Sequence, residues 1–175
     1  IGDHTASYYD PEGIHIPAAL AWVKERKILA GWTGAPSISR DDILYQECDV
    51  LVPAALGGII TAENAGRLKC KVIVEGANGP TTPEADDILH ARGVVILPDI
   101  YANAGGVTVS YFEWVQNIQQ FYWEETRVRS ELERIMRRAF ADLYSTAQSH
   151  HIDLRTAAFV VAIQRVAKAT AQRGI

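Results

Sequence analysis

Apolar runs in the middle of the chain are continuous rather than alternating: Val50-Leu51-Val52, Val72-Ile73-Val74 and Val94-Val95-Ile96-Leu97. A strand with one face in water alternates apolar and polar positions, whereas a strand covered on both faces does not, so these runs predict buried strands of a parallel sheet. Between them, residues 61–68 and 83–91 have helical character, the second opening on Thr82 as a capping residue with Pro83 at the first helical position. Strand-helix-strand repetition implies right-handed crossovers, and the fold class is α/β. Beyond Leu97 the period becomes helical throughout. Residues 105–121, 124–150 and 154–172 predict three helices, the longest carrying Val128, Leu132, Ile135, Met136, Ala139, Phe140, Leu143 and Tyr144 on one face. Upstream, 4–14 is polar and turn-rich, with Asp10-Pro11-Glu12-Gly13, and predicts a loop. Pro17, Leu20 and Val23 predict a short helix ending near Lys27, and Ser39 with Asp42 opens a brief one before Ile43. Ile1-Gly2-Asp3 reads as the last residues of a strand running into that first loop.

Composition narrows the class. At 175 residues, 48% hydrophobic and 22% charged, the chain fits one globular domain or part of a larger one. No apolar run approaches the ~18 to 20 residues of a membrane span, and the chain reads as cytoplasmic. A net charge of -4 with scattered Lys and Arg argues against nucleic acid as a partner. Cys48 and Cys70 form no CxxC and have no His at ligand spacing, so they read as reduced core thiols, with no metal expected.

In an open parallel sheet ligands bind beyond the carboxyl ends of the strands, so the loop after each apolar run is a candidate site. Pro53-Ala54-Ala55-Leu56-Gly57-Gly58 comes after the first run, Glu75-Gly76-Ala77-Asn78-Gly79-Pro80 after the second, and Pro98-Asp99-Ile100-Tyr101-Ala102-Asn103-Ala104-Gly105-Gly106 after the third. Small residues let a flat ligand approach the backbone, and Asn78 and Asn103 each carry an amide that both donates and accepts, as a carboxamide such as nicotinamide requires. Each loop alone is ordinary turn chemistry; three at successive strand ends point to a binding crevice. Asp3 could hold a ribose diol or be a loop acid, and Ser110 could bond a backbone carbonyl instead of a ligand. No GxGxxG, P-loop, HExxH or GxSxG occurs.

At these loops the sequence resembles the cofactor-binding domain of glutamate dehydrogenase, within the glutamate, leucine, phenylalanine and valine dehydrogenase family. The matching stretches are 49–56, 75–86 with its GANGPTTPEAD run, 98–100, and 103–114 with its NAGGVTVSYFEW run. The resemblance implies a Rossmann-like parallel sheet followed by C-terminal helices, N-terminally truncated, with the first strand, the glycine-rich turn and the catalytic lysines and aspartate lying before Ile1. It divides the chain into a partial dinucleotide-binding domain, 1–123, and helices packing toward a substrate domain, 124–175. It implies that Ala54 and Ala55 line the adenosine side, that Asn78 and Asn103 reach the nicotinamide and its ribose, and that Val107 and Ser110 contact substrate. Asp3 falls where the family grips the adenosine ribose, and an acid there repels a 2′-phosphate, so NAD is expected over NADP. L-glutamate and 2-oxoglutarate are the implied substrate pair, and a homo-oligomer, a hexamer, the implied assembly. No catalytic residue is assigned within the chain. The rival expectation is a truncated domain with no catalysis of its own. On either reading this polypeptide alone is expected to be inactive and to self-associate through open strand edges.

Overall fold

The structure, a computed structural model, describes residues 1–174. Three strands form the parallel sheet that the apolar runs predict: β3 (Val50–Leu51), β4 (Val72–Val74) and β5 (Val95–Leu97), in the order β3-β4-β5. Val50 sits beside Val72, and Val72 beside Val95, so all three strands point their carboxyl ends the same way. Two crossover helices, α2 (Ala62–Ala65) and α3 (Pro83–Ala91), pack on each other beside the sheet. Ile60, Leu68, Ile73 and Leu89 are fully buried between these layers. Thr82 caps α3 as its position predicts, its hydroxyl accepting from the Ala85 N–H at 3.3 Å.

α2 is shorter than the predicted 61–68. The Arg92 guanidinium donates to the Ala65 carbonyl and, at 2.6 Å, to the Leu68 carbonyl. These acceptors find their donors in a side chain instead of another helical turn, and the helix stops at Ala65.

The amino-terminal region differs more. Ile1-Gly2-Asp3 does not run as a parallel strand; Gly2 makes a single antiparallel bridge to Ser7. The expected loop at 4–14 contains β1 (Ser7–Tyr8), which pairs antiparallel with β2 (Ser37–Ile38) in a separate two-stranded sheet. α1 (Ile16–Arg26) takes the predicted course, and Lys27 closes it in the left-handed conformation. Tyr8, Ala19, Leu29 and Trp32 form a small core of their own, with Tyr8 edge-on to Trp32 at 5.3 Å. Two-residue strands have no periodicity to read, and their pairing rests on this cluster.

The helical remainder agrees with prediction except at Asp99–Ala102, which the sequence placed in a loop and which forms one helical turn. A 3-10 turn spans Asp41–Tyr45, and α4 (Asp99–Ala102) and α5 (Ala104–Gln119) come after β5. α6 (Glu125–His150) and α7 (Leu154–Gln172) complete the chain. Of the long face on α6, Leu143 is buried, along with Ala147 one turn further on, where α7 folds back with Ala157 and Ala158. Phe140 and Tyr144 remain 37% and 50% exposed. Phe159, Ile163 and Val166 of α7 are also exposed. Among the described residues no helix is long and apolar enough to cross a membrane.

Candidate functional site

The three loops predicted to bind meet at the carboxyl edge of the parallel sheet. The Ala77 N–H donates to the Pro53 carbonyl at 2.9 Å, and the Gly58 N–H to the Gly79 carbonyl at 2.8 Å, joining the first loop to the second. Gly57 passes so close that a Cβ there would lie 2.9 Å from the Asn78 carbonyl oxygen. Gly79 turns with φ +54°, a conformation that side chains with a Cβ rarely adopt. Its N–H donates to Asp99 Oδ2 at 2.7 Å, joining the second loop to the third. Ala54, Ala55 and Asn78 are exposed on this edge.

Asn78 and Asn103, read as separate candidates, come into direct contact. Asn103 Nδ2 donates to Asn78 Oδ1 at 2.6 Å. Asn103 occupies the position before α5, where its side chain would ordinarily cap the helix, yet it makes no capping bond. Held to each other, the two amides keep an unused donor on one and an unused acceptor on the other, and this remains true if both amides are flipped. That pairing matches a primary carboxamide.

Val107 and Ser110 lie on α5 three residues apart, hence on one face, and both are exposed, Val107 at 71%. Thr108, not Ser110, bonds back to its helix, donating to the Ala104 carbonyl at 2.8 Å. Among the described residues the Ser110 hydroxyl makes no hydrogen bond.

Asp3 makes its hydrogen bonds within the amino-terminal region. Its Oδ1 accepts from the Thr5 N–H (2.7 Å), the Thr5 hydroxyl (2.6 Å) and the Ala6 N–H (3.0 Å), and its Oδ2 from the Leu29 N–H (2.8 Å). Burial pushes the Asp3 carboxyl up, but these hydrogen bonds from Thr5, Leu29 and Ala6 outweigh it and hold the group at about 2. A carboxylate offers about four lone-pair sites, so Oδ2 retains at most one for a ligand. The two-hydroxyl grip expected of Asp3 therefore has room for a single hydroxyl.

Three residues without an assigned role hold the edge from behind. Glu75 is fully buried on the same side of β4 as Ile73. Its Oε2 accepts from the Asp99 N–H at 2.9 Å and its Oε1 from Arg155 Nη2 at 2.7 Å. Arg155 Nε also donates to Asp86 at 2.9 Å. Burial lowers the Arg155 pKa, but the hydrogen bonds and charges of Glu75 and Asp86 carry it above its ordinary value. The signal in the sequence was an acid directly after an apolar strand on its inward side, which demands a buried cation. Nothing local said which arginine.

Two concavities lie elsewhere: one of about 400 Å³ between α6 and α7, and one of about 280 Å³ where β5 begins, at the opposite end of the sheet. Neither meets the three loops.

A parallel sheet flanked by helices, with small-residue loops converging at its strand ends, defines a Rossmann-type domain. Residues 1–174 match the family model described as Glutamate/Leucine/Phenylalanine/Valine dehydrogenase, and the chain belongs to that family. The glutamate dehydrogenase of Thermotoga maritima is 49% identical over 175 residues, covering 100% of this chain and 42% of that protein. The glutamate dehydrogenase structure from Peptoniphilus asaccharolyticus is 36% identical with a TM-score of 0.78, over 95% of this chain and 37% of that one. The hetero-hexameric glutamate dehydrogenase of Thermus thermophilus, in a Leu-bound form, is 30% identical with a TM-score of 0.88, over 98% of this chain and 40% of that one. The chain thus spans about two fifths of the length of the relatives it matches.

Proposed function

We propose that this chain is the cofactor-binding part of an NAD-dependent glutamate dehydrogenase, acting in the cytoplasm within a homo-oligomer, with residues 124–175 packing toward a substrate domain. The observation that carries the reading is the Asn78–Asn103 pair: an acceptor and a donor set at the sheet edge, one of them diverted from the helix cap it would otherwise make. When bound, NAD supplies the hydride acceptor for oxidation of glutamate, which leads to 2-oxoglutarate and ammonium. Asn78 and Asn103 orient the carboxamide and the neighbouring ribose. Ala54 and Ala55 line the adenosine side, where small side chains admit a flat ring. The remaining lone pair of Asp3 accepts one ribose hydroxyl, and its negative charge disfavours a 2′-phosphate, hence NAD over NADP. Val107 packs on the glutamate side chain, and the Ser110 hydroxyl donates to a carboxylate of the substrate. The opening turn of α5, rich in N–H groups, favours the same negative charge.

The test replaces the matching stretch of the Thermotoga maritima enzyme with this chain and monitors NADH absorbance. Glutamate-dependent turnover that is faster with NAD than with NADP is expected, whereas the 175-residue chain by itself should be silent. A folded, assembled hybrid that turns over leucine or phenylalanine but not glutamate would refute the substrate assignment. Equal rates with both cofactors would refute the role given to Asp3.

A further inference from the structure

We propose that Arg155, on the C-terminal helix α7, is a positioning residue that sets the Asn78–Asn103 pair through Glu75 and Asp99. The inference rests on the nicotinamide reading of that pair and adds the group that aligns it.

Asp99 holds both asparagines. Its carboxylate takes the N–H of Gly79, adjacent to Asn78, at 2.7 Å, and its carbonyl takes the N–H of Asn103 at 3.1 Å. Asp99 is itself held by Glu75, whose Oε2 accepts the Asp99 N–H at 2.9 Å. Glu75 is fully buried, so its charge requires a counterion in contact with it. Arg155 provides that contact at 2.7 Å, and its other nitrogens face Asp86 at 2.9 Å and Asp99 at 3.7 Å. One guanidinium therefore faces acids from the residue after β4, from α3 and from the start of α4. The planar fork suits this arrangement, since separate nitrogens point at separate carboxylates, which a lysine ammonium cannot reproduce. Without it, three carboxylates would face each other and Asp99 would turn outward, releasing Gly79. The path is continuous from α7 to the asparagines: hydrogen bonds join Arg155, Glu75, Asp99 and Asn103, and the peptide bond from Gly79 carries it to Asn78.

Two variants separate positioning from plain stability. Arg155→Met combined with Glu75→Gln removes the guanidinium together with the one fully buried carboxylate it serves, leaving only Asp86 and Asp99, which both reach solvent, while Arg155→Lys keeps the charge without the fork. Amide hydrogen exchange of the hybrid enzyme, read by mass spectrometry at single residues, should show Gly79 and Asn103 exchanging about tenfold faster in the double variant. Ile73 and Val74 of β4 should be unchanged and Arg155→Lys intermediate. Unchanged exchange at Gly79 and Asn103, or equal acceleration across the sheet, would overturn the proposal. A second arm adds NAD or ADP-ribose, which lacks the nicotinamide. NAD should protect Gly79 and Asn103 beyond ADP-ribose in the wild type, and this surplus should vanish in the double variant. Local acceleration in the variant without any surplus protection in the wild type would uphold Arg155 as the residue that positions the pair, and would refute the nicotinamide reading alone.

Discussion

Asp3→Asn changes a single oxygen to nitrogen, yet it removes the acceptor that the Leu29 N–H uses at 2.8 Å and leaves a donor facing it instead. The remaining oxygen can still serve the donors of Thr5 and Ala6, so the loss is concentrated on the charge and on the link to Leu29. In the folded protein the carboxyl sits at about 2 against an ordinary 3.8. At about 1.4 kcal/mol for each pH unit of that gap, and with a discount for the partial exposure of the side chain, the ionised group contributes about 2 kcal/mol. The pKa is depressed on folding, so the contribution is present above the unfolded value of 3.8 and is lost as pH falls through about 2. Urea unfolding at a series of pH values should therefore find Asp3→Asn less stable by about 2 kcal/mol at neutral pH. The difference should shrink between roughly pH 4 and pH 2. A difference that stays constant down to pH 2 would show that the carboxylate charge has no part in holding this turn. That result would leave the proposed ribose contact of Asp3 untouched, since it draws on a lone pair that the turn does not use.

The strand-end loops carry two more expected outcomes. Gly57→Ala places a methyl 2.9 Å from the Asn78 carbonyl oxygen, so the first and second loops must separate. In the hybrid enzyme the KM for NAD should rise while the KM for glutamate changes little, and equal rises in steady-state kinetics would contradict this. Ser110→Ala removes a hydroxyl that has no bond among the described residues. It should leave thermal stability unchanged and raise the KM for glutamate more than that for NAD, by the equivalent of about 1.5 to 3 kcal/mol if the hydroxyl meets a carboxylate. A fall in melting temperature with no effect on KM would assign Ser110 to structure.

Features that depend on short-range pattern are readable from the residues alone. β3, β4 and β5 are legible because a strand covered on both faces must be apolar at every position, and α3 because Thr82 and Pro83 mark its start. α5, α6 and α7 are legible from helical period, with ends set by residues such as Gln120 and His151, which adopt the left-handed conformation. The candidate loops were legible for the same reason, since a ligand edge in this fold lies where the apolar runs stop. Which groups meet is set by the folded chain. Asn103 finds Asn78 across 25 residues, Arg155 finds Glu75 across 80, and Asp3 is claimed by Leu29 across 26. β1 and β2 exist as strands because Tyr8 packs against Trp32, not because two residues carry a pattern. Hydrogen bonds and ion pairs act over a few ångströms of space, and the crossovers of the sheet set that spacing. A local reading could see that Glu75 needed a cation, but only the folded chain could supply Arg155.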